Sequence, residues 1–170
     1  MWNAITVFVR MSWRRKRLLW EAFVNTFTAW IMVRLLPYRI WKRWLGHPVS
    51  LDVIPLEIVV PGPADGIMLA DIAWAHKRLG QVSKGVFTCL MLGFSARAML
   101  RRRGIESILV LGAGRNGDGG NRQLGAHAWV IHKTFDIAGG GERNEYSPVA
   151  AFGPKRTTTA NSTKSLNYEA

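Results

Sequence analysis

The chain has 170 residues, a formal net charge of +12 and a single cysteine, and almost half of its residues are apolar. This length allows one domain with a hydrophobic core and is too short for two ordinary domains. One cysteine excludes an intramolecular disulfide, and one cysteine with four scattered histidines excludes a zinc finger or ribbon. We therefore expect a cytoplasmic protein with a free thiol and with neither a metal nor a cofactor.

The positive charge is concentrated near the N-terminus, where residues 1–50 contain nine Lys and Arg and one acid, Glu21. Such a surplus is typical of a solvated basic helix face or of attraction to an anionic partner. The apolar stretch between Arg17 and Arg34 is shorter than the roughly 20 residues that a membrane span needs. It also lacks the cleavage site of a signal peptide. Peripheral membrane contact through these basic, tryptophan-rich helices remains a prediction.

The first predicted elements are helices. Residues 13–45 indicate two helices that meet at Pro37. Within the first, we interpret one set of apolar residues at helical spacing as a packing stripe: Leu19, Phe23, Phe27 and Trp30. A proline-rich connector follows over residues 48–66. Further helices are predicted from Ile67 to about Leu79 and from Thr88 or Cys89 to Arg103, the latter ending at Gly104.

After residue 105 the pattern changes to the period of two that is typical of strands. Predicted strands cover residues 106–112, 126–132, 135–138 and 146–152, with a glycine-rich loop over 113–125. The fold class is therefore α+β, with the cysteine-bearing helix packed on a small antiparallel sheet. We divide the chain into N-terminal helices (1–47), connector (48–64), core (65–152) and disordered tail (153–170).

Cys89 is the first candidate for chemistry, because it stands at the start of its predicted helix. Unpaired N–H groups and the positive end of the helix dipole favour a thiolate at that position. A buried structural cysteine is the alternative.

His127 is the candidate base. It opens the strand that runs to His132, and the sheet packs against the cysteine helix, so the imidazole can reach the sulfur and accept its proton. A structural histidine bonded to a backbone carbonyl is the alternative. His132 lies at the far end of the strand on the opposite face, while His47 and His76 lie on upstream turn or helical segments.

A glycine string after the first long strand, Gly112 to Gly117, matches GxGxxG. A dinucleotide site also requires a helix that begins at once, followed by an acidic residue on a second parallel strand. The residues that follow, Asp118 to Asn121, disfavour a helix. We interpret the string as a loop.

Several ordered motifs resemble the lasso peptide biosynthesis B2 proteins, which are transglutaminase-like cysteine proteases. The resemblance covers roughly residues 65–152. It rests on Thr88-Cys89-Leu90, Leu100-Arg101-Arg102-Arg103-Gly104-Ile105, His127-Ala128-Trp129-Val130, Gly139-Gly140 and Tyr146-Ser147-Pro148-Val149 with Phe152.

The resemblance implies a papain- or transglutaminase-like core and a leader peptidase. Cys89 would attack the scissile carbonyl of a ribosomally made lasso precursor peptide, and N–H groups at its helix start would hold the oxyanion. The implied partners are a separate leader-recognition protein and a macrolactam-forming cyclase.

The family is described as having a Cys-His-Asp triad, and the nearest aspartate after the histidine is Asp136. If Lys133 and Thr134 form the turn, Asp136 pairs with Ile131, roughly 13 Å along the strand from His127. Gly139 and Gly140 then fall beside the histidine. Either an irregular turn brings Asp136 close, a backbone carbonyl orients the imidazole, or the third member is absent.

Three alternatives stay open. A transglutaminase-like acyltransferase would use the same Cys89 and His127 pair with a nucleophile other than water. A non-catalytic scaffold of a maturation complex would tolerate Cys89→Ala. A nucleic-acid-binding protein would require base-stacking aromatic residues on a sheet face, whereas most tryptophans here lie on the N-terminal helices.

Overall fold

The computed structural model describes residues 11–55, 66–116 and 123–154. Most of the predicted connector and tail lies outside the described residues, so the division of the chain into four segments remains a prediction. The helices are α1 (Trp13–Leu35), α2 (Tyr38–Trp41), α3 (Ile67–Ser83) and α4 (Cys89–Arg102). The strands are β1 (His47–Val49), β2 (Ile108–Asn116), β3 (Gln123–His132), β4 (Phe135–Ala138) and β5 (Ser147–Gly153).

The five strands form one antiparallel sheet in the order β1-β5-β2-β3-β4. Helices α3 and α4 lie on one face of this sheet, α1 packs on α3 and α4, and these layers enclose the main core. Strand alternation places Ala128 and Val130 in that core, while Trp129 and Ile131 join a smaller cluster on the opposite face. The predicted α+β class is confirmed.

Helix α1 buries a different stripe from the one that its sequence indicated. The predicted stripe was wrong by one position, and Phe23 and Phe27 remain exposed. Leu19 and Trp30 are only partly buried against the core. The buried residues of α1 are Leu18, Ala22, Thr26, Ala29 and Met32. The small side chains among them allow α4 to approach α1 closely.

The glycine-rich loop predicted over residues 113–125 is largely strand. β2 continues through Asn116 and β3 begins at Gln123, so residues 117–122 are the part of this predicted loop that lies outside the described residues. Residues Gly112 to Asn116 of the GxGxxG string are paired antiparallel with β3, so no dinucleotide-binding helix begins within the described part of the string. Residues 47–49, assigned largely to the connector, form the edge strand β1, where Pro48 needs no partner for an N–H.

A buried hydrogen-bonded group ties three helices together. His76 Nδ1 lies 2.9 Å from the Ile72 carbonyl oxygen, and Nε2 lies 3.0 Å from Ser95 Oγ. The Ser95 hydroxyl donates to the Ala22 carbonyl of α1 at 3.0 Å. Burial lowers the pKa of His76 to about 4, and the Ile72 carbonyl opposes part of that shift. His76 is therefore a neutral structural histidine at pH 7.

Within the described ranges, no helix combines the length and the apolarity that crossing a membrane requires.

Candidate active site

Cys89 is the first residue of α4, as the sequence predicted. Thr88 precedes it as the N-cap, and its hydroxyl accepts a hydrogen bond from the Met91 N–H at 3.5 Å. This cap leaves the N–H groups of Cys89 and Leu90 without a carbonyl partner inside the helix. Cys89 is only partly buried, and it stands at the positive end of the helix dipole.

The sheet edge beside Cys89 is open because β4 is short. β4 pairs with β3 only up to Val130 opposite Ala138, and a bulge interrupts the ladder between Val130 and Ile131. Gly139 then turns the chain away with φ +82°. The ladder between β3 and β4 therefore ends before Ala128 and His127, where the edge of β3 meets the start of α4.

The structure brings Cys89 and His127 together at this edge. Burial is the largest single influence and raises the pKa of the Cys89 thiol, while a hydrogen bond to His127 and the charge of His127 lower it. The backbone N–H groups of Ala128 and Leu90 add to the lowering, and the pKa of Cys89 falls below its ordinary value. The arrangement thus stabilises a thiolate beside an imidazolium.

The imidazole of His127 is oriented by the backbone and by rings. Its Nε2 lies 2.5 Å from the Gly139 carbonyl oxygen, and since a carbonyl only accepts, Nε2 carries the proton. That tautomer leaves Nδ1 to exchange a proton with the thiol. Tyr146 stacks on the ring with a centroid separation of 4.9 Å, and Trp129 stacks at 6.1 Å.

Asp136 pairs with Ile131, as the predicted turn at Lys133 and Thr134 required. Its carboxylate nevertheless lies over Gly140, because a Cβ added at Gly140 would stand 1.6 Å from Asp136 Oδ2. The side chain therefore points along the strand toward the end where His127 lies, and the two residues interact electrostatically.

One peptide group connects the aspartate to the histidine. The Gly140 N–H donates to the Asp136 carboxylate, while the preceding Gly139 carbonyl accepts from His127 Nε2. A carboxylate at the N–H end of a peptide polarises its carbonyl, which strengthens the hydrogen bond at the other end. The peptide bridge, defined as the Gly139–Gly140 peptide between Asp136 and His127, therefore holds the imidazole and favours its charged form.

The glycines of the peptide bridge are required by space as well as conformation. A Cβ at Gly139 would stand 2.4 Å from the Ala128 carbonyl oxygen, in addition to the strain of φ +82°. A Cβ at Gly140 would overlap Asp136. Any other residue at either position must displace the bridge.

The Asp136 carboxyl is itself perturbed. Burial raises its pKa, and Arg143, the Gly140 N–H, the charge of His127 and the Ala138 N–H offset only part of that rise. Its Oδ1 is buried and has no hydrogen-bond partner within the described part of the chain. The carboxylate charge is therefore present only at a higher pH than for an ordinary aspartate.

The other histidines named in the sequence lie elsewhere. His132 is at the far end of β3, where its Nδ1 lies 2.6 Å from the Glu106 carbonyl oxygen. His47 is exposed on β1, and His76 is buried among the helices. The sequence predicted that Cys89 and His127 lie together, as they do, but it did not predict that Tyr146 stacks on His127.

In the described ranges, no group of three or more His, Cys, Asp or Glu side chains is arranged to hold a metal ion.

A family model described as the transglutaminase-like superfamily matches residues 32–151, more than two thirds of the chain. The chain therefore belongs to the transglutaminase-like superfamily. Cysteine peptidase and acyltransferase activities are both typical of this fold, and the pairing of Cys89 with His127 is compatible with either. No curated protein and no solved structure is significantly similar to the chain.

Proposed function

We propose that this chain is a cysteine protease that removes the leader from a ribosomally made lasso peptide precursor. The observation that carries the proposal is the contact between Cys89 at the start of α4 and His127 at the open edge of β3, which lowers the thiol pKa. Superfamily membership and the ordered motifs that resemble the lasso peptide biosynthesis B2 proteins support it.

In the first half of the proposed reaction, the Cys89 thiolate attacks the scissile carbonyl carbon and forms a tetrahedral intermediate. The Cys89 N–H at the helix start is placed to donate to the resulting oxyanion. His127 then transfers its Nδ1 proton to the leaving amine, the carbon–nitrogen bond breaks, and the leader remains bound to sulfur as a thioester.

In the second half, neutral His127 accepts a proton from water while the water oxygen attacks the thioester. Collapse of the second tetrahedral intermediate releases the leader as a carboxylic acid and restores the Cys89 thiolate with the His127 imidazolium. The peptide bridge from Asp136 stabilises the imidazolium state through Gly139. An amine in place of water would give acyl transfer from the same thioester.

The proposal includes partners that resemble those of the lasso peptide systems. A separate leader-recognition protein would present the precursor, and a macrolactam-forming cyclase would use the amine freed by cleavage. The action of this enzyme must come before ring closure, because the ring uses an amine that the leader still blocks.

Mass spectrometry of a precursor encoded beside the gene tests this function. The precursor would be incubated with the protein and the leader-recognition partner, using Cys89→Ala and His127→Ala as inactive variants. His132→Ala is the matched control, since His132 lies on the same strand away from the site. A discrete leader cut lost only in the first two variants supports the protease.

Two results would contradict it. An intact precursor with the folded parent protein in a confirmed partner complex would favour a scaffold. A leader that carries the mass of an added amine, with little free acid even when the amine is dilute, would favour an acyltransferase.

A further inference from the structure

Four aromatic side chains form a continuous row along one face of α1, which we call the aromatic ladder: Trp20, Phe23, Phe27 and Trp30. Neighbouring rings stack with centroids 5.7, 6.1 and 5.8 Å apart in that order. Trp20 is 67% exposed and Phe27 is 44% exposed. Contiguous apolar surface of this kind marks a place where another molecule binds.

The aromatic ladder reaches the start of the helix that carries the nucleophile. Phe23 contacts Phe87 edge to face, with ring centroids 6.2 Å apart. Phe87 precedes Thr88, the N-cap, and Cys89, the first residue of α4. A peptide whose scissile carbonyl lies at Cys89 can therefore continue over Phe87 onto the aromatic ladder without leaving the surface.

The spacing of the rings suits an extended peptide. Alternate side chains of an extended chain face the same side and are about 6.6 Å apart, since each residue advances about 3.3 Å. The ring centroids of the ladder and Phe87 are separated by 5.7 to 6.2 Å. Successive alternate side chains of a segment that runs from Phe87 over Phe23 to Phe27 can thus each lie against one ring, and aromatic rings bury apolar side chains efficiently.

We propose that the aromatic ladder and Phe87 bind an extended segment of the peptide substrate that carries apolar side chains at alternate positions beside the cleaved bond. The inference rests on the proposed function, because Cys89 is taken as the point where the peptide is anchored. It adds the chemical class of the flanking segment and the surface that selects it.

Direct binding to synthetic peptides tests the aromatic ladder without requiring turnover. The Cys89→Ala protein would be titrated with a fluorescein-labelled peptide of alternating leucine and glutamate, and with one in which serine replaces every leucine. Both peptides carry the same negative charge, so attraction to the basic chain contributes equally to both. Fluorescence anisotropy gives each dissociation constant.

Two ladder variants, Phe23→Ser and Phe27→Ser, are compared with Trp44→Ser in the Cys89→Ala background. Trp44 is half exposed and lies outside the ladder, so it is a matched aromatic control. We expect the leucine peptide to bind much more tightly than the serine peptide. Each ladder variant should weaken leucine-peptide binding about tenfold, the scale of one interface anchor, and Trp44→Ser should leave it unchanged.

Equal binding of the two peptides, or equal binding by the folded ladder variants and the control, would overturn the inference. A third result would also overturn it: the protein fails to bind the leucine peptide, but phosphatidylcholine–phosphatidylglycerol vesicles bind the protein and the ladder variants weaken that binding. The aromatic ladder would then be a lipid-binding surface. Ladder-dependent peptide binding without cleavage of the precursor would count against the proposed function alone. Cleavage that is insensitive to the ladder variants would count against the ladder alone.

Discussion

The helical layer and the open sheet edge each place an imidazole between a main-chain carbonyl and a side chain with nucleophilic chemistry. Among the helices the pair is His76 with Ser95, and at the sheet edge it is His127 with Cys89. His76 and Ser95 are almost completely buried, whereas Cys89 is only partly so. An imidazole beside a hydroxyl thus forms a structural contact among the helices, whereas an imidazole beside a thiol forms a candidate catalytic pair at the sheet edge.

The difference between the two regions lies in access and charge. Burial holds His76 neutral with a pKa of about 4, and the Ser95 hydroxyl lies within hydrogen-bond distance of both His76 Nε2 and the Ala22 carbonyl oxygen. At the sheet edge, helix-start N–H groups and the peptide bridge favour the charged forms of both partners. A histidine beside a hydroxyl or thiol therefore does not by itself indicate a catalytic pair. The surrounding groups, which decide whether the charged or the neutral forms are stable, must be considered as well.

The largest expected effect is the loss of turnover in His127→Ala. We expect kcat to fall by about 10³-fold, since general acid–base catalysis by a positioned side chain contributes 10²–10⁴-fold. His132→Ala should retain the activity of the parent protein. Steady-state cleavage of the precursor measures both variants, and a His127→Ala enzyme within threefold of the parent would contradict the role assigned to the sheet edge.

His76 should make folding stability depend on pH without affecting the chemistry. Its folded pKa of about 4 lies below the unfolded value of about 6.5, so the unfolded chain binds the proton first as pH falls. The stability is present above pH 6.5 and is lost between 6.5 and 4, by roughly 3 kcal/mol in total.

Urea denaturation from pH 7 to pH 4 measures this loss. Carboxylates titrate in the same range, so His76→Gln provides the subtraction, and its free energy of unfolding should fall less steeply with pH. Parallel pH profiles for the two proteins would refute the account of His76.

Gly140→Ala should lower the activity, because it disturbs the peptide bridge that holds His127. The added Cβ overlaps Asp136, so the Gly139 carbonyl must move away from His127. We expect kcat to fall about 30-fold, which corresponds to about 2 kcal/mol of transition-state stabilisation. Gly141→Ala is the neighbouring control, because a Cβ there meets nothing within 4 Å.

A double variant shows whether the overlap is the cause. Asp136→Gly with Gly140→Ala removes the overlap, so it should be no less active than Gly140→Ala alone. If the two substitutions instead multiply their losses, the peptide bridge does not act as one unit.

Asp136→Asn should have a smaller effect, about tenfold on kcat, a scale of about 1.4 kcal/mol. Asparagine still accepts from the Gly140 N–H but removes the charge that favours the His127 imidazolium. Because burial raises the pKa of Asp136, the parent loses this charge early as pH falls, so the two proteins should converge in activity at low pH. A constant ratio across the pH profile would argue against an electrostatic role.

Local patterns in the sequence were sufficient for the elements that carry the candidate site. The start of α4 at Cys89 agrees with the predicted start at Thr88 or Cys89, and β4 covers the predicted residues 135–138. Pairing of Asp136 with Ile131 follows from the two-residue turn. Each of these features depends on neighbours in sequence, for which capping and strand periodicity are adequate guides.

Features that depend on tertiary contacts were not predictable in the same way. The buried face of α1 is set by close packing of Ala22 against Ser95, which a count of large apolar residues does not detect. The peptide bridge depends on a bulge in β4 and on Gly139 with positive φ. Register alone placed Asp136 about 13 Å from His127 along the strand, and only side-chain direction brings its carboxylate to Gly140.

The pH dependence of Cys89 alkylation tests the central claim most directly, since it needs neither precursor nor partner. Iodoacetamide reacts with the thiolate, so the rate rises with pH through the pKa of the single cysteine. The account predicts a midpoint below that of an ordinary thiol in the parent protein and a higher midpoint in His127→Ala. The same midpoint in both proteins, or one above the ordinary value in the parent, would contradict the activated pair.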